Sequence, residues 1–270
     1  MARKLLWVVA AIVGVVSVAP ALIVIPYAFS ESGFLDFPPG WGGWQWFQEV
    51  LDDPTWGAAA MRSLQVALIA TGVATVLGTA AAYALVRARP RFSGMIVGLL
   101  VLPMVVPIII FALGSFALGS DLGLVGSIWT LALAHAALAL PFVLLNVRAS
   151  LQLVDSSLEQ AARSLGAGPL SAFGRVTLPL ILPGVVSGAV LAFVLSFDEP
   201  VVALFLSQDT DPTLPVKLFQ TIRLALEPTV AAVSVMLLLL GLAGAAIWWI
   251  AMRLGQRRLR AAAASVPEGV

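Results

Sequence analysis

The sequence contains no cysteine, a single histidine (His135) and only two lysines, Lys4 and Lys217. Without cysteine the chain has no disulfides and no thiolate metal sites, and one histidine is too few for a histidine-based metal site. Neither lysine lies in a G-x-x-x-x-G-K-[ST] context, so the chain has no P-loop of its own for a nucleotide. The nucleophile motif G-x-S-x-G is also missing. A membrane-embedded enzyme is therefore disfavoured, because the remaining carboxylates form no convergent catalytic set.

Charged residues are scarce as well: they make up 11% of the 270 residues, whereas 60% are apolar. An ordinary soluble domain has about a quarter of its residues charged. Six apolar runs are long enough to cross a bilayer as helices, for which about 20 residues suffice. They cover residues 5–29, 63–86, 95–118, 127–147, 180–206 and 229–252. The alternating pattern of outer-membrane barrels is absent, so the predicted fold is an all-α integral membrane protein with six transmembrane helices.

Lysine and arginine are unevenly distributed between the segments that join these runs. With the N-terminus inside, twelve lie in cytoplasmic segments: Arg3, Lys4, Arg87, Arg89, Arg91, Arg148, Arg163, Arg175, Arg253, Arg257, Arg258 and Arg260. Three lie on the opposite side: Arg62, Lys217 and Arg223. This bias predicts a multi-pass protein of the inner (plasma) membrane with both termini in the cytoplasm. Membrane lipid is an expected partner and nucleic acid is not, since the formal net charge is only +1.

The apolar runs divide the chain into segments with different expected roles. These are an N-terminal transmembrane helix (1–30), an external loop (31–60), a transmembrane domain (61–252) and a cytoplasmic tail (253–270). The first run is preceded by Arg3-Lys4, which is also typical of a cleavable signal peptide. Its apolar core of about 25 residues is too long for that and favours an uncleaved anchor. The external loop carries Trp41, Trp44, Trp46, Phe47 and Trp56, which form either an aromatic belt or a contact surface for a soluble partner.

Three residues within the runs have more than one interpretation. Pro103 and Pro107 interrupt the third run. They either shape a pathway or kink a packed helix, because interior prolines release backbone hydrogen bonds. His135 lies in the middle of the fourth run, where a lone histidine is more often an interhelical hydrogen-bond partner than a proton relay.

A polar island separates the fourth run from the fifth, at residues 148–179. Its length and its arginines put it outside the hydrocarbon on the cytoplasmic side. The segment 158–168 reads LEQAARSLGAG, with small residues on one face of a short predicted helix and charge on the other. Gly166 follows where that helix should end. Such a helix is suited to binding by a soluble partner protein.

A second polar feature, Asp198-Glu199 followed by Pro200, lies inside the fifth run, in the outer part of the membrane. A charge within a span costs about 2.5–3.5 kcal/mol on insertion scales, so it normally faces a cavity, a partner or a substrate. One interpretation is a carboxylate pair that lines the outer mouth of a pathway for cations. The other is that the helix ends here and the pair meets headgroups and water.

These features together resemble permease subunits of binding-protein-dependent ABC importers, of the spermidine/putrescine type. The polar island is similar to the cytoplasmic coupling loop (the EAA loop) of that family. Weaker similarity is carried by residues 37–46, 50–56, 63–67, 133–135, 141–143, 196–199 and 213–217. Two positions depart from the family pattern. Gln160 stands where the loop usually has an acidic residue, with Glu159 just before it, and Arg62 stands where an Asn is common.

The resemblance implies a type I importer (MetI-like) permease fold and a set of partners. The chain would form a translocation pathway with a second permease subunit, in a hetero-oligomer. Two copies of an ATP-binding subunit would bind ATP and Mg, and a soluble binding protein would deliver the substrate. The ATPase-coupling residues would be Glu159, Gln160, Ala161, Ala162, Leu165 and Gly166, and the pathway residues would be Asp198 and Glu199. No cofactor is expected on this chain, and ATP hydrolysis is expected from the separate subunit.

The implied substrate is a small organic cation, a polyamine such as spermidine or putrescine. Related permeases also serve other small solutes, including amino-acid-like compounds and ferric iron, and this alternative stays open. A secondary transporter is a further alternative. It usually has a coupling-ion site and an internal repeat, and no repeat is evident in this sequence.

Overall fold

The computed structural model describes residues 2–31, 42–208, 210–224 and 227–264, and all regular structure in these ranges is helical. The helices are α1 (Ala2–Ala28), α2 (Gln45–Asp52), α3 (Pro54–Arg87), α4 (Ser93–Val105), α5 (Ile108–Asp121), α6 (Ile128–Leu153), α7 (Ser156–Ser164), α8 (Pro169–Ala172), α9 (Leu178–Phe197), α10 (Val201–Leu206), α11 (Leu214–Leu224) and α12 (Thr229–Ala264). A π-helical segment (Phe173–Thr177) joins α8 to α9. Trp41 and the motif residues 37–40 lie outside the described ranges.

The chain forms two compact units, one of residues 1–54 with 221–270 and the other of residues 55–220. In the first unit α1 and α2 both pack on α12. Phe29, just after α1, contacts Trp44 and Phe47 with ring centroids 5.2 and 5.1 Å apart. The indole nitrogen of Trp46 donates to the Ser30 carbonyl at 2.7 Å. These contacts attach the aromatic part of the predicted external loop to the end of α1.

The second unit is built around α6, which packs closely against α9. Two glycines one turn apart on α9 make the close approach possible. A Cβ on Gly188 would lie 2.8 Å from the Val143 Cα, and one on Gly184 would lie 2.7 Å from the Ser150 Cβ. Helix α3 also approaches α6 at Val143, since a Cβ on Gly78 of α3 would lie 2.9 Å from the Val143 Cβ. Small residues let membrane helices approach until their backbones nearly touch.

Five described helices are long and apolar enough to span a membrane, and a bent pair makes a sixth crossing if it counts as one span. That pair is α4 and α5, which meet at 99° across the break at Val106-Pro107. The third predicted span (95–118) is thus interrupted at Pro107, as expected from the sequence, whereas Pro103 lies inside α4. Pro107 has no N–H for a helical bond and ends α4, and its φ of −53° suits the residue that precedes α5.

The other boundaries also differ from the predicted ones. The second span begins at Pro54 rather than near residue 63, so α2 and the first turns of α3 occupy much of the predicted external loop. The fifth run is divided between α9 and α10, with the break at residues 198–200. The last helix continues through the predicted tail as far as Ala264.

Candidate functional site

The short helix predicted in the polar island is α7. Its N-cap is Asp155, whose carboxylate accepts from the Ser157 N–H at 2.9 Å. Hydrogen bonds from Ser157 hold the pKa of Asp155 below its usual value. At the other end, the N–H groups of Gly166 and Ala167 donate to the carbonyls of Arg163 and Ala162. This is the Schellman arrangement, which needs a left-handed residue after the helix, and Gly166 has φ +92°. Both the helix and the role of its terminal glycine are as predicted.

Glu159, one of the predicted coupling residues, points into the protein, and its side chain is only 9% exposed. Its Oε1 accepts a hydrogen bond from the Tyr83 hydroxyl of α3. Its Oε2 accepts from the Thr177 hydroxyl at 3.0 Å and lies 3.4 Å from the Arg87 Nε. Arg163, one turn along α7, lies 3.9 Å from Oε1. Glu159 therefore attaches α7 to the end of α3 and to the π-helical segment, and does not form part of an outward-facing surface.

Opposing effects set the ionisation of Glu159. Burial by itself would raise the pKa of this carboxyl, because desolvation penalises the charged form. Hydrogen bonds from Tyr83 and Thr177, together with the charges of Arg87 and Arg163, outweigh it and lower the pKa. Glu159 is thus an anion at neutral pH, and the ion pair with Arg87 is intact.

The remaining predicted coupling residues lie on the outer side of α7. Gln160, Ala161, Leu165 and Gly166 are exposed, and Ala162 is half-buried. Leu165 is 90% exposed, and leucines on either side of α7 are similarly uncovered: Leu153 at 89% and Leu170 at 87%. These leucine side chains are apolar, so their exposure to water is unfavourable. This outer surface of α7 and its flanks (Leu153, Gln160, Ala161, Leu165 and Leu170) has the composition of a protein contact site.

The two carboxylates at the break between α9 and α10 have separate environments. Glu199 is 5% exposed, and its side chain lies against the N-terminal end of α10. Its carboxylate accepts from the N–H groups of Val201, Val202 and Ala203 at 2.8, 2.8 and 3.3 Å. It is a helix cap, so the prediction of a carboxylate pair facing a pathway is corrected for this residue. Asp198 is exposed at the same break.

His135 joins α6 to this break. Its Nδ1 lies 2.9 Å from the Ser196 Oγ, and its Nε2 lies 3.4 Å from a carboxylate oxygen of Glu199. Its Nδ1 also lies 3.1 Å from the Ser196 carbonyl oxygen. His135 is 1% exposed. It joins two helices, so its interpretation as an interhelical hydrogen-bond partner is confirmed.

Several structural partners were not singled out from the sequence. Tyr83 and Arg87 lie about one turn apart on α3, and Thr177 lies at the end of the π-helical segment. Arg87 counted only toward the charge bias. The departure at Arg62 also has an explanation. Its guanidinium pairs with Asp211 at 2.8 Å and donates to the Gly126 carbonyl at 3.1 Å, so it connects α3 to two loops.

Sequence comparison relates the chain to membrane components of transport systems. The family described as binding-protein-dependent transport system inner membrane component matches residues 74–260. The putrescine transport system permease protein PotI of Escherichia coli (strain K12) is 35% identical over 257 residues, covering 90% of this chain and 89% of PotI. The spermidine/putrescine transport system permease protein PotC of Haemophilus influenzae is 32% identical over 226 residues, or 83% and 87% of the two chains. The molybdenum transport system permease protein ModB of Mycobacterium bovis is 30% identical over 258 residues, or 90% and 92%.

Two solved structures have the same fold. A bacterial ABC transporter involved in the import of the acidic polysaccharide alginate matches with a TM-score of 0.69 at 15% identity, covering 93% of this chain and 95% of that one. An amino acid ABC transporter crystallised with histidines matches with a TM-score of 0.54 at 16% identity, covering 80% and 99%. The predicted all-α permease fold of ABC importers is thereby confirmed.

Proposed function

Because this chain belongs to the family of inner membrane components of binding-protein-dependent transport systems, we propose that it forms, with a second permease subunit, the translocation pathway for a polyamine such as putrescine or spermidine. The chain is a permease subunit of an ABC importer and not an enzyme, and ATP is hydrolysed by a separate subunit. The proposal adds the substrate, the partner subunits and the residues that serve them.

The observation that carries the proposal is the two-sided arrangement of α7. On its inner side, the buried Glu159 is bonded to α3 and to the segment that leads into α9. On its outer side, Gln160, Ala161 and Leu165 are exposed for a partner. Two copies of an ATP-binding subunit, which carry ATP and Mg, dock on this helix and on its counterpart in the second permease. Movement of the ATPase is transmitted through Glu159 to α3 and α9 as a rigid-body displacement.

The proposed orientation puts α7 and both termini in the cytoplasm. It is supported by the bias of arginine and lysine toward that side. Cysteines introduced at Ser207 and Ser157 test it in intact cells: the first should react with a membrane-impermeant reagent from outside, and the second only after lysis. A third position suited to external labelling, Ser32, lies outside the described residues. Reaction of the Ser157 cysteine in intact cells would overturn this orientation.

The cationic substrate is supported by two observations. The relatives PotI and PotC are named for putrescine and spermidine/putrescine transport. The exposed Asp198 directly follows α9, at the end of that helix that is far from α7. An anion at this position favours the approach of a cation. Similarity to a molybdenum transport permease supports the alternative of another small solute, for which the carboxylate of Asp198 offers no evident advantage.

Uptake into proteoliposomes that contain the complete importer tests the substrate. The binding protein is first screened by thermal shift against putrescine, spermidine, amino acids, ferric iron and molybdate. Asp198→Asn keeps the size of the side chain and removes its charge. If Asp198 stabilises the passing amine by about 1–2 kcal/mol, this substitution lowers its uptake roughly tenfold. The affinity of the binding protein should not change. Stabilisation by molybdate or ferric iron, with no response to amines, would refute the polyamine assignment.

A further inference from the structure

The two faces of α9 differ in exposure. Its buried face, which includes Gly184 and Gly188, packs on α6. On the opposite face Val190, Leu191 and Val194 are 50%, 44% and 56% exposed, as expected for a surface that meets lipid or another subunit.

Two polar side chains interrupt this apolar face near the middle of α9. Ser187 is exposed at the centre of α9, about 15 Å from either end of the helix at 1.5 Å per residue. Beside it, on α6, the half-buried Asn146 accepts a hydrogen bond from the Ser187 hydroxyl at 3.4 Å. Polar groups that faced acyl chains would be costly, so they normally face a cavity or another part of the protein. This favours another subunit or an aqueous pathway, rather than lipid, beside Ser187 and Asn146.

The orientation of the Asn146 amide decides which chemistry this polar pair offers. Its nitrogen donates to the Phe142 carbonyl at 2.8 Å, within α6. Its oxygen is thereby directed toward Ser187, and a lone pair remains after it has accepted from that hydroxyl. The Ser187 oxygen also keeps its acceptor capacity. The pair thus presents two oxygen acceptors close together, which suit an ammonium group.

We propose that Asn146 and Ser187 form a binding station for a primary ammonium group of the substrate, within the translocation pathway. The inference rests on the proposed function, which it deepens by adding a site to the amine pathway. Asp198 lies eleven residues beyond Ser187, or three helical turns, so it lies on the same face of α9, about 16 Å nearer the outer end. An ammonium group is thus attracted by a carboxylate at the mouth and then solvated by neutral dipoles deeper in. Because the inner station has no formal charge, it replaces part of the hydration shell without trapping the cargo.

The test uses the complete importer in proteoliposomes, with putrescine delivered by saturated binding protein. Asn146→Leu removes the acceptor at nearly constant size and should lower maximal uptake about tenfold, since a hydrogen bond to a charged group is stronger than one between neutral groups. Ser187→Ala should lower it less, about threefold, because the pair keeps the acceptor of Asn146. Asn146→Gln retains a neutral amide oxygen and should stay within about threefold of wild type on the same scale. Ser234→Ala is the matched control, because that hydroxyl bonds only the Val230 carbonyl of its own helix among the contacts described.

Each outcome separates the station from the wider assignment. If the wild-type importer takes up putrescine and Asn146→Leu takes it up equally well, the station is refuted and the proposed function is unaffected. Equal losses in Asn146→Leu and Asn146→Gln, at equal thermal stability of the complex, would also overturn it, because a neutral amide oxygen would then make no difference to uptake. A wild-type importer that takes up neither putrescine nor spermidine would refute the proposed function itself.

Discussion

Replacement of Glu159 by alanine should release α7 from the rest of the second unit while the permease still inserts and folds. The substitution removes the acceptor for Tyr83 and Thr177 and leaves the Arg87 guanidinium, which is 17% exposed, without its carboxylate. Among the contacts that the structure describes, Arg87 retains only a 3.5 Å bond to the Val154 carbonyl. The loss is local, because the apolar contacts of α6 with α9 do not involve Glu159.

The size of the effect follows from the burial of the pair. Removal of one partner from a buried ion pair costs about 3–5 kcal/mol. Arg87 lies at the end of α3 and keeps some access to water, so the lower end of this range applies. A loss of about 3 kcal/mol corresponds to a roughly 100-fold change in an opening equilibrium, since 1.4 kcal/mol is a factor of ten.

Hydrogen–deuterium exchange of the complete chain in nanodiscs measures this opening directly. The backbone amides of α7 should exchange roughly 100-fold faster in Glu159→Ala, on the same free-energy scale, while those of α6 and α9 keep their wild-type rates. Gln160→Ala is the matched control, because that neighbouring side chain is exposed and its loss leaves the inner contacts intact. In the reconstituted importer, Glu159→Ala should continue to hydrolyse ATP and transport less substrate per ATP. Unchanged exchange of the α7 amides in Glu159→Ala would refute this account of how the helix is attached.

Three further predictions concern glycines and pH. Gly188→Ala places a methyl group 2.8 Å from the Val143 Cα and should cost about 1–3 kcal/mol in thermal unfolding; Gly114→Ala, with no atom within 4 Å of the added Cβ, is the control and should unfold like wild type. Gly166→Val should cost about 1–2 kcal/mol through its φ of +92° alone, because nothing lies within 4 Å of its Cβ, and it should impair transport with normal insertion; normal substrate-stimulated ATP hydrolysis would count against the coupling role. The lowered pKa of Glu159 stabilises the attachment of α7 above the unfolded value of about 4.3, and this contribution disappears as the pH falls through the lower folded value. Exchange of α7 should therefore accelerate only in acid, and Glu159→Gln should abolish that acid step if the carboxylate is its cause.

The sequence identified the features that depend on local or averaged properties. Whether a segment enters a bilayer depends on its summed hydrophobicity, so six apolar runs were enough to indicate a helical membrane protein. The C-terminal end of α7 was also readable from the sequence. Gly166 has a left-handed backbone that few other residues adopt at low cost, and this requirement arises within one turn of helix.

The bend between α4 and α5 was only partly readable. Pro107 marked the point at which helical hydrogen bonding had to stop. The 99° angle depends on what each half packs against. Prolines identical in sequence context produce a mild kink or a sharp break according to their neighbours, and these neighbours come from other segments of the chain.

The directions of the key carboxylates were decided by tertiary structure alone. Glu159 lies on a short helix with polar residues on several sides, and its main hydrogen-bond donor, Tyr83, is 76 positions away. Asp198 and Glu199 are adjacent acidic residues, so hydropathy does not distinguish their environments. The break before α10 gave Glu199 three backbone N–H groups and a histidine, and left Asp198 exposed. A buried charge is tolerated only where partners from distant segments converge on it, and this convergence exists only in the folded chain.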